Sequence, residues 1–296
     1  MSQNDLITRQ SVRVFNSQRQ VTIAARPRPR GGARAAIQGV ARAAMVQAQE
    51  AALLLSVAAT APLRLARGAG PANSVSPHVK ADATLATHPV LLVHGFGGAR
   101  SSWNLVAQAL SAQGLTVDAM AYAPVGNSVE ELADQLVAHA ETTLSRTGAA
   151  KVHLVGHSLG GVIIAQAILD PRLNGRVDTV ITLGSPFGGS PWAGLLPLIE
   201  LVRALRPGSP LLRRLASTPL PDGARWLSVT AALDIIVPGV RSVPSHAQVE
   251  TVTVDGVGHL GMLLNPRVIG FIAAALCAHG TARAADPARC LLPSAS

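Results

Sequence analysis

Near the middle of this sequence a strand gives way to a helix across a five-residue junction, and that junction limits the fold more than any other feature. Lys151–Val155 is a short apolar run of strand character. Gly156-His157-Ser158-Leu159-Gly160 follows directly, and the stretch from Leu159 to Leu169 is helix-permissive. With so little slack, the chain must turn sharply at Ser158. Small residues two before and two after it let neighbouring backbones pass without Cβ clashes.

The same alternation repeats around it. Pro89–His94, Leu115–Tyr122, Val177–Leu183, Trp226–Ala231 and Val249–Val254 read as strands, and Ser102–Gln113 and Asn265–Cys277 as helices. Ser128-Val129-Glu130-Glu131 has capping-box spacing and opens a further helix to about Thr147. About six short apolar strands alternating with helices predict an α/β fold with a doubly wound, mostly parallel sheet. The expected organisation is a basic N-terminal extension over 1–80, the α/β domain over 81–280, and a C-terminal tail over 281–296. Within the domain, residues 189–224 form an apolar insertion.

Composition supports one such domain, with 48% hydrophobic and 14% charged residues among 296. The 27 glycines and 20 prolines follow no period, which excludes collagen-like and solenoid architectures. Aromatics are 3% of the chain, too few for a base-stacking platform. The net charge of +9 is local. Residues 1–80 hold ten Arg and one Lys against Asp5 and Glu50, whereas basic and acidic residues balance over 81–296. The basic excess therefore says nothing about the main domain's partner, and no nucleic acid is expected. A solvated tail, an export region and attraction to anionic lipid all suit it better.

Residues 1–34, with Arg26, Arg28 and Arg30 spaced by Pro27 and Pro29, read as disordered or extended chain. Residues 35–60 are Ala-rich, and Gln38, Arg42 and Gln49 fall roughly on one face of an amphipathic helix. The apolar run from Ala51 to Ala59 is too short to span a bilayer, and Glu50 argues further against it. Three readings stay open: a signal peptide with its cleavage site near Ala59-Thr60-Ala61, a helix packed on the domain, and a helix lying on a membrane. Residues 67–87 read as a linker.

Ser158 is the candidate nucleophile. A serine at a tight strand-to-helix turn has its hydroxyl thrust out above the sheet, and Leu159 then offers a backbone N–H at the helix N-terminus to a developing oxyanion. Together with His94-Gly95-Phe96-Gly97-Gly98 and Thr182-Leu183-Gly184-Ser185-Pro186-Phe187-Gly188-Gly189, this elbow resembles bacterial lipases of the α/β-hydrolase superfamily, most of all the actinobacterial triacylglycerol lipase/esterase type. The resemblance covers roughly 88–280 and does not extend to 1–75. It implies an α/β-hydrolase fold and a Ser–acid–His chain order. It also implies a second oxyanion N–H from the residue after the His-Gly pair, here Phe96. His94, Gly95, Gly97, Gly98, Gly156, His157 and Gly160 would form the supporting loops.

Of the histidines, His78 and His88 precede the candidate site, His139 lies in a helix, and His153 in a strand. His157 neighbours the nucleophile but points away from it, His246 precedes the last strand, and His279 lies in the tail. His259, in Gly256-Val257-Gly258-His259-Leu260 after the last strand, is the candidate base. Asp234, between apolar residues after the penultimate strand, is the candidate acid, and the resemblance places the acid on this loop. Asp255 is its rival, more suited to capping the loop. The family often carries a further acidic residue upstream of the acid, where Ala231-Ala232 stands here.

These residues imply a serine hydrolase that cleaves carboxylic esters of lipids through an acyl-enzyme. Alternatives on the same residues are a short-chain carboxylesterase, a thioesterase or a perhydrolase; an inactive hydrolase-fold binding protein would lack a triad member, and none is missing. No cofactor is required, and no motif for a zinc or calcium site is present. A lipid or ester substrate, a monomer, surface association through residues 1–80, and a secreted or envelope location are the remaining expectations. Cys277 and Cys290 read equally as a disulfide and as two thiols. In the insertion, Ser190-Pro191 and Ser209-Pro210 read as helix starts. Between them Leu195, Leu196, Leu198, Ile199, Leu201, Val202 and Leu205 exceed what a connector needs, with Pro197 interrupting and Pro207-Gly208 ending the first helix. Residues 189–224 are therefore expected to form a helical lid and acyl-binding wall, the alternative being helices packed on the sheet edge as fixed core.

Overall fold

The computed structural model describes residues 20–23, 39–41, 43–50, 52 and 88–280, apart from 124, 125, 195–198, 219, 222 and 247. Its centre is a sheet of parallel strands: β1 (Gln20–Ile23), β2 (Val90–Val93), β3 (Val117–Met120), β4 (Val152–His157), β5 (Val177–Leu183), β6 (Arg225–Ala231) and β7 (Val249–Val254). Their spatial order is β1-β7-β6-β5-β4-β2-β3. The six expected strands are β2 to β7, with β5 and β7 at the expected bounds. All pairings are parallel. The correction is β1, in a stretch that reads as disordered or extended: Gln20–Ile23 pairs in register with Thr251–Val254 at the sheet edge. The partner strand lies more than two hundred residues away, so nothing local in sequence announces it.

The helices are α1 (helical residues 39–41 and 43–50), α2 (Asn104–Ala112), α3 (Val129–Thr147), α4 (Leu159–Ala167), α5 (Glu200–Ala204), α6 (Pro210–Ser217) and α7 (Pro266–Gly280). Among the described residues no helix is long and apolar enough to cross a membrane. Ser128 caps α3 as its sequence predicts: Ser128 Oγ accepts from Glu131 N at 3.1 Å, and Ser128 N donates back to Glu131 Oε2 at 2.7 Å. Ser102–Gln113 is broken into a 3₁₀ turn, Arg100–Trp103, followed by α2.

Strand alternation sorts side chains into two cores. Leu91, Val93, Leu154 and Val180 join the cluster under α3 and α4, whereas Val90, Leu92, Val155 and Ile181 join the one containing α2 and α7 residues such as Leu110, Ile272 and Leu276. The strand order reverses between β2 and β4, because β2 continues outward to β3 while β4 starts the run in the other direction. In open parallel sheets such a reversal opens a crevice at the carboxyl ends of the two strands.

The insertion is helical, and its described part is packed inward. Ser209 caps α6, accepting from Leu212 N at 3.2 Å. The first stretch is a 3₁₀ turn, Pro191–Gly194, and Pro197 lies outside the described residues. Leu201, Val202, Leu205, Leu211, Leu212 and Leu215 are buried in the same cluster as α3 and α4. Of the apolar run between the two helix starts, Leu201, Val202 and Leu205 are thus covered by the protein's own core, while Leu195, Leu196 and Leu198 lie outside the described residues. Leu201→Ala is expected to destabilise the fold by about 3 kcal/mol in denaturant unfolding, the cost of a core cavity. A change within about 0.5 kcal/mol, typical of a surface position, would mean that α5 stands free of the core.

Candidate active site

Four loops meet at the carboxyl edge of the sheet, those after β4 and β2 and the pair after β6 and β7. The first is the junction after β4, where Ser158 adopts φ 53° and ψ −121°. It is the only non-glycine residue with positive φ among the described residues. Packing enforces this backbone. Ser158 N donates to Leu183 O at 2.9 Å, and α4 starts at the next residue. Gly160 lies so close to β2 that a Cβ there would fall on the Val93 carbonyl, and a Cβ on Gly156 would come within 2.6 Å of Gly161 N. As the first residue of α4, Leu159 has a backbone N–H with no acceptor inside the helix.

The second loop follows β2. Gly95 sits against the elbow, where a Cβ would lie 2.9 Å from Ser158 Cβ. Phe96, Gly97 and Gly98 continue over it, and Gly98 N donates to Gly95 O at 3.0 Å. His94 is buried, and its Nδ1 meets Gly95 O at 2.9 Å. A carbonyl only accepts, so Nδ1 carries the proton. The structure adds a residue that the sequence did not single out. Tyr122 stacks on the His94 ring with centroids 4.0 Å apart, and its hydroxyl donates to His94 O at 2.6 Å. Burial pushes the Tyr122 phenol above its ordinary pKa, so it remains a donor.

The third element is the pair of loops after β6 and β7. His259 Nδ1 lies 2.7 Å from Asp234 Oδ2, with both side chains buried. The carboxylate accepts, so Nδ1 carries the proton. Asp234 Oδ1 accepts from Ile236 N at 2.9 Å and Val237 N at 2.7 Å, which fixes the carboxylate. Its loop is buttressed by the insertion: Ser190 Oγ donates to Ile236 O and Trp192 Nε1 to Ile235 O, both at 2.7 Å. The two loops are also tied together, Leu233 N donating to Val257 O at 3.0 Å. Asp234 rather than Asp255 thus meets His259.

The other described histidines are engaged elsewhere. His139 pairs with Asp118 at 3.0 Å, His153 lies 3.5 Å from Asp178, and His246 bonds Leu215 O at 3.1 Å. Cys290, and with it a bond to Cys277, lies outside the described residues. Among the described residues no cluster of His, Cys, Asp and Glu has the makings of a metal site.

Asp234 and His259 thus form a buried pair, the elbow that carries Ser158 is tied to it through the bond from His157 to the His259 carbonyl, and the loop of Gly95 lies against the elbow. The model of the alpha/beta hydrolase family matches residues 90–243, more than half of the sequence. The chain belongs to the alpha/beta hydrolase family. Over 146 residues it is 36% identical to a triacylglycerol lipase of Burkholderia plantarii, covering 46% of this chain and 40% of that one. A triacylglycerol lipase of Vibrio cholerae is 33% identical over 139 residues, covering 45% of this chain and 41% of the relative. The chain thus spans well under half the length of these curated relatives. The mature Bacillus licheniformis lipase BlEst2 shares the fold with a TM-score of 0.56 at 19% identity, covering 64% of this chain and 92% of its own.

His157 has a different task from His259. Its Nε2 donates to the His259 carbonyl at 3.0 Å, and the two rings lie 4.7 Å apart. Burial, reinforced by the neighbouring His259, lowers its pKa to about 3. Between pH 6.5, the ordinary value, and about 3, the unfolded chain binds a proton here that the folded chain refuses. The corresponding stability is complete above pH 6.5 and is lost as pH falls through that window. Denaturant unfolding over this range should show a larger loss for the native sequence than for His157→Gln. Parallel losses would contradict the assignment.

Proposed function

We propose that this hydrolase cleaves carboxylic esters, with lipid esters as the substrate class, through an acyl-enzyme on Ser158. The observation that carries the reading is the 2.7 Å contact of His259 Nδ1 with Asp234, which leaves Nε2 as a base at the edge that carries Ser158. Ser158 Oγ attacks the ester carbonyl while His259 takes its proton, and Asp234 holds the imidazole in this tautomer and stabilises the imidazolium. Backbone N–H groups of Phe96 and Leu159 receive the oxyanion, each contributing about 3 kcal/mol to the barrier reduction. His259 then returns its proton to the leaving alkoxide, and water, activated by the same imidazole, releases the acid.

The relatives named triacylglycerol lipase support esters of lipids over other acyl compounds. The basic excess of residues 1–80 offers attraction to anionic lipid surfaces, at about 1 kcal/mol for each charge near the surface.

Ser158→Ala and His259→Ala are each expected to lower kcat by about 10⁴-fold or more on nitrophenyl esters, and the double variant should be little worse, because these residues act as a unit. Circular dichroism should show the native fold in each. Retained turnover in either single variant would remove that residue from the mechanism. A chain-length series of nitrophenyl esters beside emulsified triglyceride decides the substrate class: long-chain and emulsified substrates should be preferred. Activity confined to acetate and butyrate esters would assign a short-chain carboxylesterase.

A further inference from the structure

We infer that Glu50 of α1 is a positioning residue for the candidate base, its carboxylate holding the backbone that carries His259. This rests on the reading of His259 as the base. The residue following His259 begins a 3₁₀ turn, Leu260–Leu263, for which His259 itself is the N-cap. A residue at that place ordinarily lends a side-chain acceptor to the first free N–H groups of the turn. His259 makes no such bond, because its ring faces Asp234. The acceptor comes instead from the far N-terminal part of the chain. Leu260 N donates to Glu50 Oε2 at 2.8 Å and Gly261 N to Glu50 Oε1 at 2.7 Å, so both carboxylate oxygens grip the two residues directly after His259.

Three further observations fit a clasp rather than a chance contact. Glu50 is 1% exposed, and a buried carboxylate requires hydrogen-bond donors such as these. The loop is shaped around it: a Cβ on Gly258 would overlap the Glu50 side chain, and one on Gly261 would lie 3.0 Å from Oε1. Finally, Gln47, one turn earlier on the same helix face, donates Nε2 to Leu233 O at 2.9 Å, immediately before Asp234. Through Gln47 and Glu50, α1 holds both the acid loop and the base loop. Residues 39–50 are accordingly part of the working enzyme, and cleavage near Ala59-Thr60-Ala61 with loss of the preceding segment would remove the clasp.

The test uses the full chain with Glu50→Ala, Glu50→Gln and Gln47→Ala. Active sites are titrated with a fluorophosphonate, and kcat and KM on nitrophenyl acetate are expressed per titrated site. Glu50→Ala should lose about 100-fold in kcat per titrated site, the scale of a misplaced catalytic group, with KM unchanged. Glu50→Gln should be intermediate, since it keeps one acceptor oxygen but turns an NH₂ toward a donor. Gln47→Ala should lose less than either Glu50 variant. The downfield proton resonance of His259 Nδ1–H should weaken in the same order. If Glu50→Ala does not fold, Glu50→Gln and Gln47→Ala carry the comparison.

Native turnover per titrated site in the folded Glu50 variants would overturn the inference, even if fewer sites titrate or the melting temperature falls, because Glu50 would then serve stability alone. Failure of the native enzyme to take up the probe would overturn the hydrolase reading itself, a result distinct from the first.

Discussion

The site depends on the backbone of Ser158, held at φ 53° where L-residues rarely sit. Such a conformation costs about 1–3 kcal/mol and persists only where the surroundings over-determine it. Here α4 is pressed against β2 at Gly160, leaving no room for a Cβ, and the elbow is bonded to β5 through Ser158 N and Leu183 O. The same contacts that strain the serine bring β2 and its Gly95-Phe96 loop beside it. The candidate nucleophile and the loop of the candidate oxyanion donor Phe96 thus share one packing arrangement of β2, β4 and α4, at the point where the strand order reverses.

The candidate acid and base are held differently. Asp234 and His259 follow β6 and β7, and their loops bind to each other, to the first turn of the insertion, and to α1. Most of these bonds use backbone groups, so loop positions are fixed independently of what the imidazole does. His157 adds a buried donor to the His259 carbonyl, and burial holds its own pKa far below the ordinary value.

Much of this was legible in the sequence because it is local. Short apolar runs bounded by Gly and Pro gave β2 to β7, and Ser128 with Glu131 announced the start of α3 by their spacing alone. Ser158, Asp234 and His259 could be selected because each follows a recognisable strand. Non-local partnerships were not legible. Gln20–Ile23 becomes a strand only through β7, and Tyr122 matters only through His94. Glu50 stood out in the sequence as a lone acid in an Ala-rich, basic segment, yet only as an argument against a membrane span. Its partners at Leu260 and Gly261 are more than two hundred residues away. The leucines of the insertion were visible as an apolar surplus, but only packing reveals that Leu201, Leu205, Leu211, Leu212 and Leu215 join the core under α3 and α4.

The most direct test of the account is a crystal structure of the enzyme inactivated by an alkyl phosphonate, which mimics the tetrahedral intermediate. The account predicts phosphorus bonded to Ser158 Oγ and the phosphoryl oxygen at about 2.7–3.1 Å from both Phe96 N and Leu159 N, with His259 Nδ1 still on Asp234. A covalent adduct on another residue would contradict it, as would a phosphoryl oxygen pointing away from both backbone N–H groups.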